Sequence, residues 1–485
     1  MSVERQILDK SGLRRELGLL HATMLGIGGA ISAGVFVMLG HAAALAGTAI
    51  VIALPLCGII NLFTMCSYAE LGAAIPSAGG EYTFAKIAYG GFVSFLTGWF
   101  EWISNMFFAA LSAVGFAYMV SYFLPAINIP LIAILTIIIF TVINIRGVKE
   151  AGTVEVAMMV VLIAMLIIYI GSVSLNIPQT GGFQLSVPDL RGLVEATAYI
   201  FVVYLGAEAI AVAQAEVKNP GKTIPRAIML SAVFLIIFYT LIAYVTVSAV
   251  SPSVLGDKPS PLTFVAEQTL GTAGAILVMI AGTIAALSTL NTSIMAQSRV
   301  TYALSRDGYF PKVLSKVHGR FGTPHLAVIV GSIFTAALAA TGVINFVGYA
   351  SDFGFIIGFC FVNLSLMKLR REKPHLERPF KVPLYPFTPI AGIVTSLMLL
   401  VFIDVGVLVL GAELIVLALL AYYVKMIGHY RIRIALGGMS LGMGGLTPLL
   451  AYLIGTGSIL FYILIIVGIV SIIAGVLNVT AKPRD

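Results

Sequence analysis

Charge is scarce in this sequence. Asp, Glu, Lys and Arg make up 10% of its 485 residues, against 59% hydrophobic residues and a mean hydropathy of +1.04. That balance excludes a soluble globular domain, in which about a quarter of residues are charged. Cysteine is scarcer still. Cys57, Cys66 and Cys360 all lie in apolar runs, which excludes a disulfide framework. No CxxC or His/Cys cluster offers a metal site. Residues 1–16 are polar and no A-x-A-like site follows the first apolar run, so no cleavable signal peptide is expected.

What is present is a series of apolar runs, each long enough to cross about 30 Å of hydrocarbon. They fall at roughly 17–44, 48–75, 92–124, 130–146, 151–175, 192–216, 226–251, 269–304, 325–344, 347–370, 386–406, 408–427, 432–454 and 457–478. The reading is an all-α integral membrane protein with about 14 transmembrane helices, the lipid bilayer as its surroundings and no nucleic-acid partner. The net charge of +7 acts as a topology signal. With the N-terminus in the cytoplasm, 26 of the 28 Lys and Arg fall on the cytoplasmic side, and only Arg191 and Lys258 fall outside. The positive-inside rule then puts both termini in the cytoplasm of a multi-pass protein of the cell membrane.

The first span carries Gly26-Ile27-Gly28-Gly29-Ala30-Ile31-Ser32-Ala33-Gly34-Val35-Phe36. Each glycine weakens a helix by about 1 kcal/mol relative to alanine. In lipid, a broken helix survives only where it lines a cavity. Its exposed N–H groups can take an anion and its carbonyls a cation, which suits a zwitterionic solute. The competing reading is that Gly28 and Gly34 only allow close helix packing. The sixth span is also glycine-interrupted, at Tyr204-Leu205-Gly206-Ala207-Glu208. Two such spans five apart mark an inverted repeat, spans 1–5 against 6–10, with discontinuous helices 1 and 6 and the solute at their interface.

Three further stretches stand out: Ala69 to Tyr82 (AELxxxxPxxGGxY), Glu216 to Ile228 (EVKNPxxxIPRAI) and Ser298 to Gly308 (SRxxYALSRDG). Glu70 is placed to pair with a basic loop residue. Together the stretches resemble the amino acid–polyamine–organocation (APC) superfamily, over roughly residues 12–400. The loop Arg378-Pro379-Phe380-Lys381-Val382-Pro383 and the count of spans look most like the cationic amino acid transporter branch. The expected organisation is a cytoplasmic segment 1–16, a first five-helix repeat 17–175, a second inverted repeat 192–370, a cytoplasmic loop 371–385, four additional helices 386–478 and a tail 479–485. The resemblance implies a permease that moves amino acids by alternating access and needs no resident cofactor. Polyamines or other organocations are the alternative cargo.

The resemblance also assigns residues. The family's G-S-G-[IV]-F motif falls on Ser32-Ala33-Gly34-Val35-Phe36, where the amides of Ala33 and Gly34 can hold a carboxylate and the Ser32 hydroxyl can add a donor. The competing role for Ser32 is a bond back to its own helix. Carbonyls of Phe201, Val202 and Leu205 can accept from a substrate ammonium. The family's aromatic lid falls on Val202, with Phe201 beside it, and Ser293 offers a pocket wall. Glu208 and Glu101 are acids inside spans, where an ionisable residue is by default functional. Glu208 can titrate or hold the unwound backbone, and Glu101 can face a substrate amine. The competing reading for both is a neutral acid hydrogen-bonded in the bundle.

Proton-coupled relatives carry a lysine at the position of Leu162. Its amine would sit where sodium sits in sodium-coupled transporters of the same fold. The walls of that place are carbonyls of Gly28, Ile31 and Ala285 and hydroxyls of Ser288 and Thr289, which suit a hard cation. Sodium symport, uncoupled exchange and protonation of a carboxylate therefore all stay open, as does a purely structural bond across helices for Ser288 and Thr289. A reading of another class is an intramembrane serine protease, because Gly438-Met439-Ser440-Leu441-Gly442 is a literal GxSxG. It needs a base within hydrogen-bond reach, and no histidine follows in a later span.

Overall fold

The first apolar run is two helices, α1 (Leu19–Ala30) and α2 (Ala33–Ala46). The computed structural model describes residues 15–480 apart from 125, 177–183, 187–189, 259, 342–343, 401–404, 427–436, 439, 446, 449–450 and 452–458. After a short 3₁₀ turn come α3 (Ile50–Ala74), α4 (Gly80–Ala88), α5 (Gly91–Phe123), α6 (Ile129–Arg146) and α7 (Val148–Leu175). The sixth span is also interrupted. It runs as α8 (Leu190–Ile200), a 3₁₀ turn Phe201–Tyr204, α9 (Ala209–Val212) and a second 3₁₀ turn Gln214–Glu216. Then follow α10 (Pro220–Ala249), α11 (Pro252–Gly256), α12 (Pro261–Leu270), α13 (Thr272–Arg306), α14 (His325–Ala339), α15 (Ile344–Glu372), α16 (Phe387–Leu400), α17 (Val405–Met426) and α18 (Ile459–Thr480). Among the described residues the only β pairing is a single bridge, Leu17 with Val217.

Local chemistry sets these boundaries. The Asn128 side chain accepts from the Leu131 amide at 3.0 Å and starts α6, with a proline in its first turn. Pro220 opens α10, where its missing N–H costs nothing, so this helix begins six residues before the expected 226. The segment 252–268, expected as a connection, folds largely into α11 and α12. The expected span over 432–454 lies largely outside the described residues.

Seven stretches of the described residues are long and apolar enough to cross a membrane, and shorter apolar helices accompany them. On α6, α7 and α10 the residues Ile138, Ile139, Val160, Ile167, Leu230 and Ile237 are exposed. A water-soluble protein would not show such a face, whereas lipid accepts it. Helix α13 runs through the interior, and every residue in it from Ser288 to Ser305 is buried. It packs on α5, α7 and α1, and this contact brings the first break beside the middle of α13.

Candidate substrate and ion site

At the first break the chain leaves α1 at Ile31 (φ −73°, ψ 83°) and passes through an extended Ser32 (φ −96°, ψ 177°) into α2. The Ser32 hydroxyl oxygen accepts from the Gly34 amide at 3.1 Å, so Ser32 is the N-cap of α2. Ala33 and Gly34 occupy the first turn, where amides lack helical partners and the helix dipole is positive. On the other side of the break, the last carbonyls of α1 are left for partners from outside the helix.

At the second break Gly206 adopts φ +109°, a conformation closed to residues with a side chain. Both carboxylate oxygens of Glu208 accept from the Gly206 amide, each at 2.9 Å. Glu208 thus holds the unwound turn two residues before it. Asn61 donates to the Tyr204 carbonyl at 3.2 Å, and Tyr204 donates to the Leu54 carbonyl at 2.9 Å, tying the turn to α3. Phe201 is buried and meets Phe359 of α15 edge to face, with ring centroids 6.5 Å apart. Leu205 and, on α13, Ser293 are buried as well. Val202 lies in the 3₁₀ turn, and its side chain lies outside the described residues.

The two breaks touch. A methyl group on Gly29 would run into the Gly206 carbonyl, and one on Gly206 into the Gly29 carbonyl. The Tyr239 hydroxyl of α10 spans the junction, 3.1 Å from the Ala30 carbonyl and 3.0 Å from the Val203 carbonyl.

Glu101 of α5 is turned to a different task from the one expected for a substrate amine. Its carboxylate accepts from the amides of Glu81 (3.3 Å) and Tyr82 (3.1 Å) and so caps α4, as an acid at a helix N-terminus does. Glu81 is itself buried, and its carboxylate accepts from the Tyr68 hydroxyl.

The oxygens expected around a cation gather behind the first break. Ser288 lies 3.1 Å from the Gly28 carbonyl, and Thr289 lies 3.2 Å from the same carbonyl and 3.4 Å from that of Ile31. Ala285 is buried one turn earlier on α13. An all-oxygen set of this kind matches a hard cation in donor type. Leu162 is buried in the apolar core of α7. The residue of α7 that reaches the oxygens is Glu155, which sequence reasoning passed over. Its carboxylate accepts from Ser288 and, at 2.9 Å, from Asn291. The one signal in the sequence is that this acid falls inside the expected span 151–175, next to the charged Lys149 and Glu150.

The conspicuous sequence stretches are wired to one another. Arg299 donates two parallel bonds of 2.9 Å to Glu216, with both side chains buried. Glu70, near the end of α3, accepts from Arg370 and from the Val382 amide (2.6 Å), and forms an ion pair with Arg378 (3.1 Å). Tyr82 donates to Asp307 at 2.6 Å, and Lys86 pairs with the same oxygen at 2.7 Å. Burial raises the Asp307 carboxyl, but its bonds to Lys86 and Tyr82 outweigh this and hold it below the usual range.

A family model described as amino acid permease matches residues 17–425 of this chain. The chain belongs to the amino acid permease family. The permease is 27% identical to the branched-chain amino acid permease BcaP of Bacillus subtilis over 82% of its own length and 91% of that protein. It is 29% identical to the methylthioribose transporter of Bacillus subtilis, over 82% and 93% of the two chains. It is 30% identical to the cystine/glutamate transporter of Pongo abelii, over 78% of each.

Family and architecture together make the permease a multi-pass membrane transporter and not an enzyme. Its GxSxG serine, Ser440, donates its hydroxyl to the Ser471 carbonyl at 2.7 Å, a bond between helical segments.

Proposed function

We propose that this permease is a secondary transporter that carries amino acids across the cell membrane by alternating access, with both termini in the cytoplasm. The contact of two broken helices at Gly29 and Gly206 carries this reading, because it sets amide-rich and carbonyl-rich backbone at one buried junction. The substrate carboxylate sits at the start of α2, at the amides of Ala33 and Gly34. Ser32 caps that end in the absence of a ligand and yields to the stronger, charged acceptor. The ammonium takes carbonyls of the turn Phe201–Leu205. Phe201 covers the α-carbon groups, and Ser293 faces them from α13.

The relatives are named for branched-chain amino acids, for methylthioribose and for cystine and glutamate. Two of these names support the amino acid class, and methylthioribose, which lacks an α-amino acid group, leaves the substrate to experiment. The test is uptake into proteoliposomes with a panel of labelled amino acids. Saturable uptake competed by one group of them is the expected result. Gly34→Leu, which fills the carboxylate position, should abolish that uptake while the protein still inserts. Full uptake by Gly34→Leu would remove the substrate from the start of α2.

A further inference from the structure

Helix α10 carries one exposed stripe, at Lys222, Arg226, Leu230, Val233, Ile237 and Leu241. The positions step by three and four, so they share one face. Other faces of α10 pack on α3 and α1. The stripe is cationic at its first two positions and apolar at the rest. At about 1.5 Å per residue, Arg226 stands about 9 Å from the start of the helix, and Lys222 about 6 Å before it.

Among the described residues neither cation forms an ion pair. The acids on the adjoining segments are engaged or withdrawn. Glu216 is held by Arg299, and Glu16 is half-buried. Arg15 and Lys218, on the two segments joined by the Leu17–Val217 bridge, are exposed as well. The potential at this end of α10 is therefore positive, and the helix dipole adds to it. An arginine on a lipid-facing stripe is costly unless its head reaches water or an anion at the interface.

Beyond Arg226 the surface is hollow. A groove of about 580 Å³ is lined by Arg226, Met229, Leu230, Val233 and Phe234. Apart from the guanidinium these side chains are apolar. Phe234 is stacked on the buried ring of Phe238, with centroids 4.8 Å apart, which sets the wall at the far end. From Arg226 to Phe234 the helix rises about 12 Å. A cation at one end and an apolar wall along the rest complement a molecule with a negative head and an apolar tail. In a bilayer that molecule is a lipid, and basic pockets beside transmembrane helices suit anionic headgroups.

The two cations also select the headgroup. The guanidinium fork pairs with two oxygens of a phosphate, which every phospholipid carries. Lys222, about one turn nearer the helix start, meets whatever the headgroup bears beyond that phosphate. Choline or ethanolamine brings a cation of its own to this place and is repelled, whereas glycerol is not. We propose that the start of α10 binds one anionic phospholipid, with its phosphate at Arg226, the rest of its headgroup at Lys222 and an acyl chain in the groove from Met229 to Phe234. The site does not depend on what the permease transports. It bears on the junction of the breaks, because Ser231 of the same helix donates to the Thr23 carbonyl at 3.0 Å and Tyr239 spans the carbonyls of Ala30 and Val203.

The experiment is native mass spectrometry of the purified permease, titrated in detergent with phosphatidylglycerol or with phosphatidylcholine of the same acyl chains. The wild type is expected to bind the first phosphatidylglycerol at least about tenfold more tightly, since each cation near an anionic headgroup contributes about a factor of five. Arg226→Gln and Lys222→Gln should each lower that preference several-fold. Val233→Trp fills the groove without altering charge, and should weaken phosphatidylglycerol binding as well. Lys316→Gln, an exposed cation on the loop after α13, should leave it unchanged. Should Arg226→Gln insert poorly, Lys222→Gln and Val233→Trp decide instead.

Equal binding of the two lipids by the wild type overturns the site, since ordinary boundary lipid would explain it. So does a preference that survives in Arg226→Gln and Lys222→Gln, or binding that Val233→Trp leaves intact. Inorganic phosphate at millimolar concentration is the last arm. Displacement of phosphatidylglycerol by phosphate alone would mean an anion site that uses no acyl chain, and would overturn the lipid assignment.

Discussion

Gly29 and Gly206 lie backbone against backbone, one in each interrupted helix, and neither position has room for a methyl group. At Gly206 the conformation adds to this, since φ is +109° and a side chain there costs about 1–2 kcal/mol before any overlap. Gly206→Ala and Gly29→Ala should each lower uptake at least about tenfold, the factor that about 1.4 kcal/mol corresponds to. Both should also lower the melting temperature. Uptake per inserted molecule is the measurement, and a wild-type rate in either variant would mean that the breaks do not need to meet.

Glu208 separates a structural task from a titrating one. Its two oxygens both serve the Gly206 amide. Glutamine keeps one of those acceptors, whereas alanine leaves a buried donor unpaired at about 1–3 kcal/mol. Glu208→Ala is therefore expected to lose roughly ten- to a hundredfold in uptake, and Glu208→Gln less than about threefold. Equal damage from both would show that the ionisable proton itself is used.

The Arg299–Glu216 pair is buried on both sides. Removal of one partner strands the other charge, which costs about 3–5 kcal/mol. Thermal unfolding in detergent should show Arg299→Met and Glu216→Leu each strongly destabilised. The double variant should be more stable than the sum of the two losses predicts. Additive losses would mean that the two residues act independently.

Glu70 gathers Arg370, Arg378 and the Val382 amide, and so fixes the loop between α15 and α16 onto the end of α3. Glu70→Gln retains the shape but weakens both charged contacts. Limited proteolysis should then cut between residues 373 and 386 several times faster than in the wild type. An unchanged cutting rate would place the restraint on that loop elsewhere.

Much of this architecture can be read from local composition. Glycines at Gly26, Gly28 and Gly29 mark where α1 ends, and Gly206 marks the second interruption, because loss of helix propensity is written at the residue itself. The pairing of Glu70 with a basic loop residue was legible for the same reason, as a lone acid near the end of an apolar run requires a partner. Contacts between distant segments are another matter. Glu155 and Ser288 are 133 residues apart, and no period or spacing joins them. Counting along α7 in the register of lysine-bearing relatives arrives at Leu162, in the apolar core, while the acid that reaches the oxygens stands two turns earlier. The short helices α4, α11 and α12 were equally hidden, since segments of 5 to 10 residues give too few turns for a periodic signal.

The single bridge between Leu17 and Val217 has a mechanical consequence. The Leu17 amide donates to the Glu216 carbonyl at 3.0 Å, and the Lys218 amide donates to the Leu17 carbonyl at 2.8 Å. This fastens the entry to α1 to the exit from the second interruption, and the same two segments come into close backbone approach again at Gly29 and Gly206. A tilt of one interrupted helix at this end must therefore either carry the other with it or break these backbone bonds.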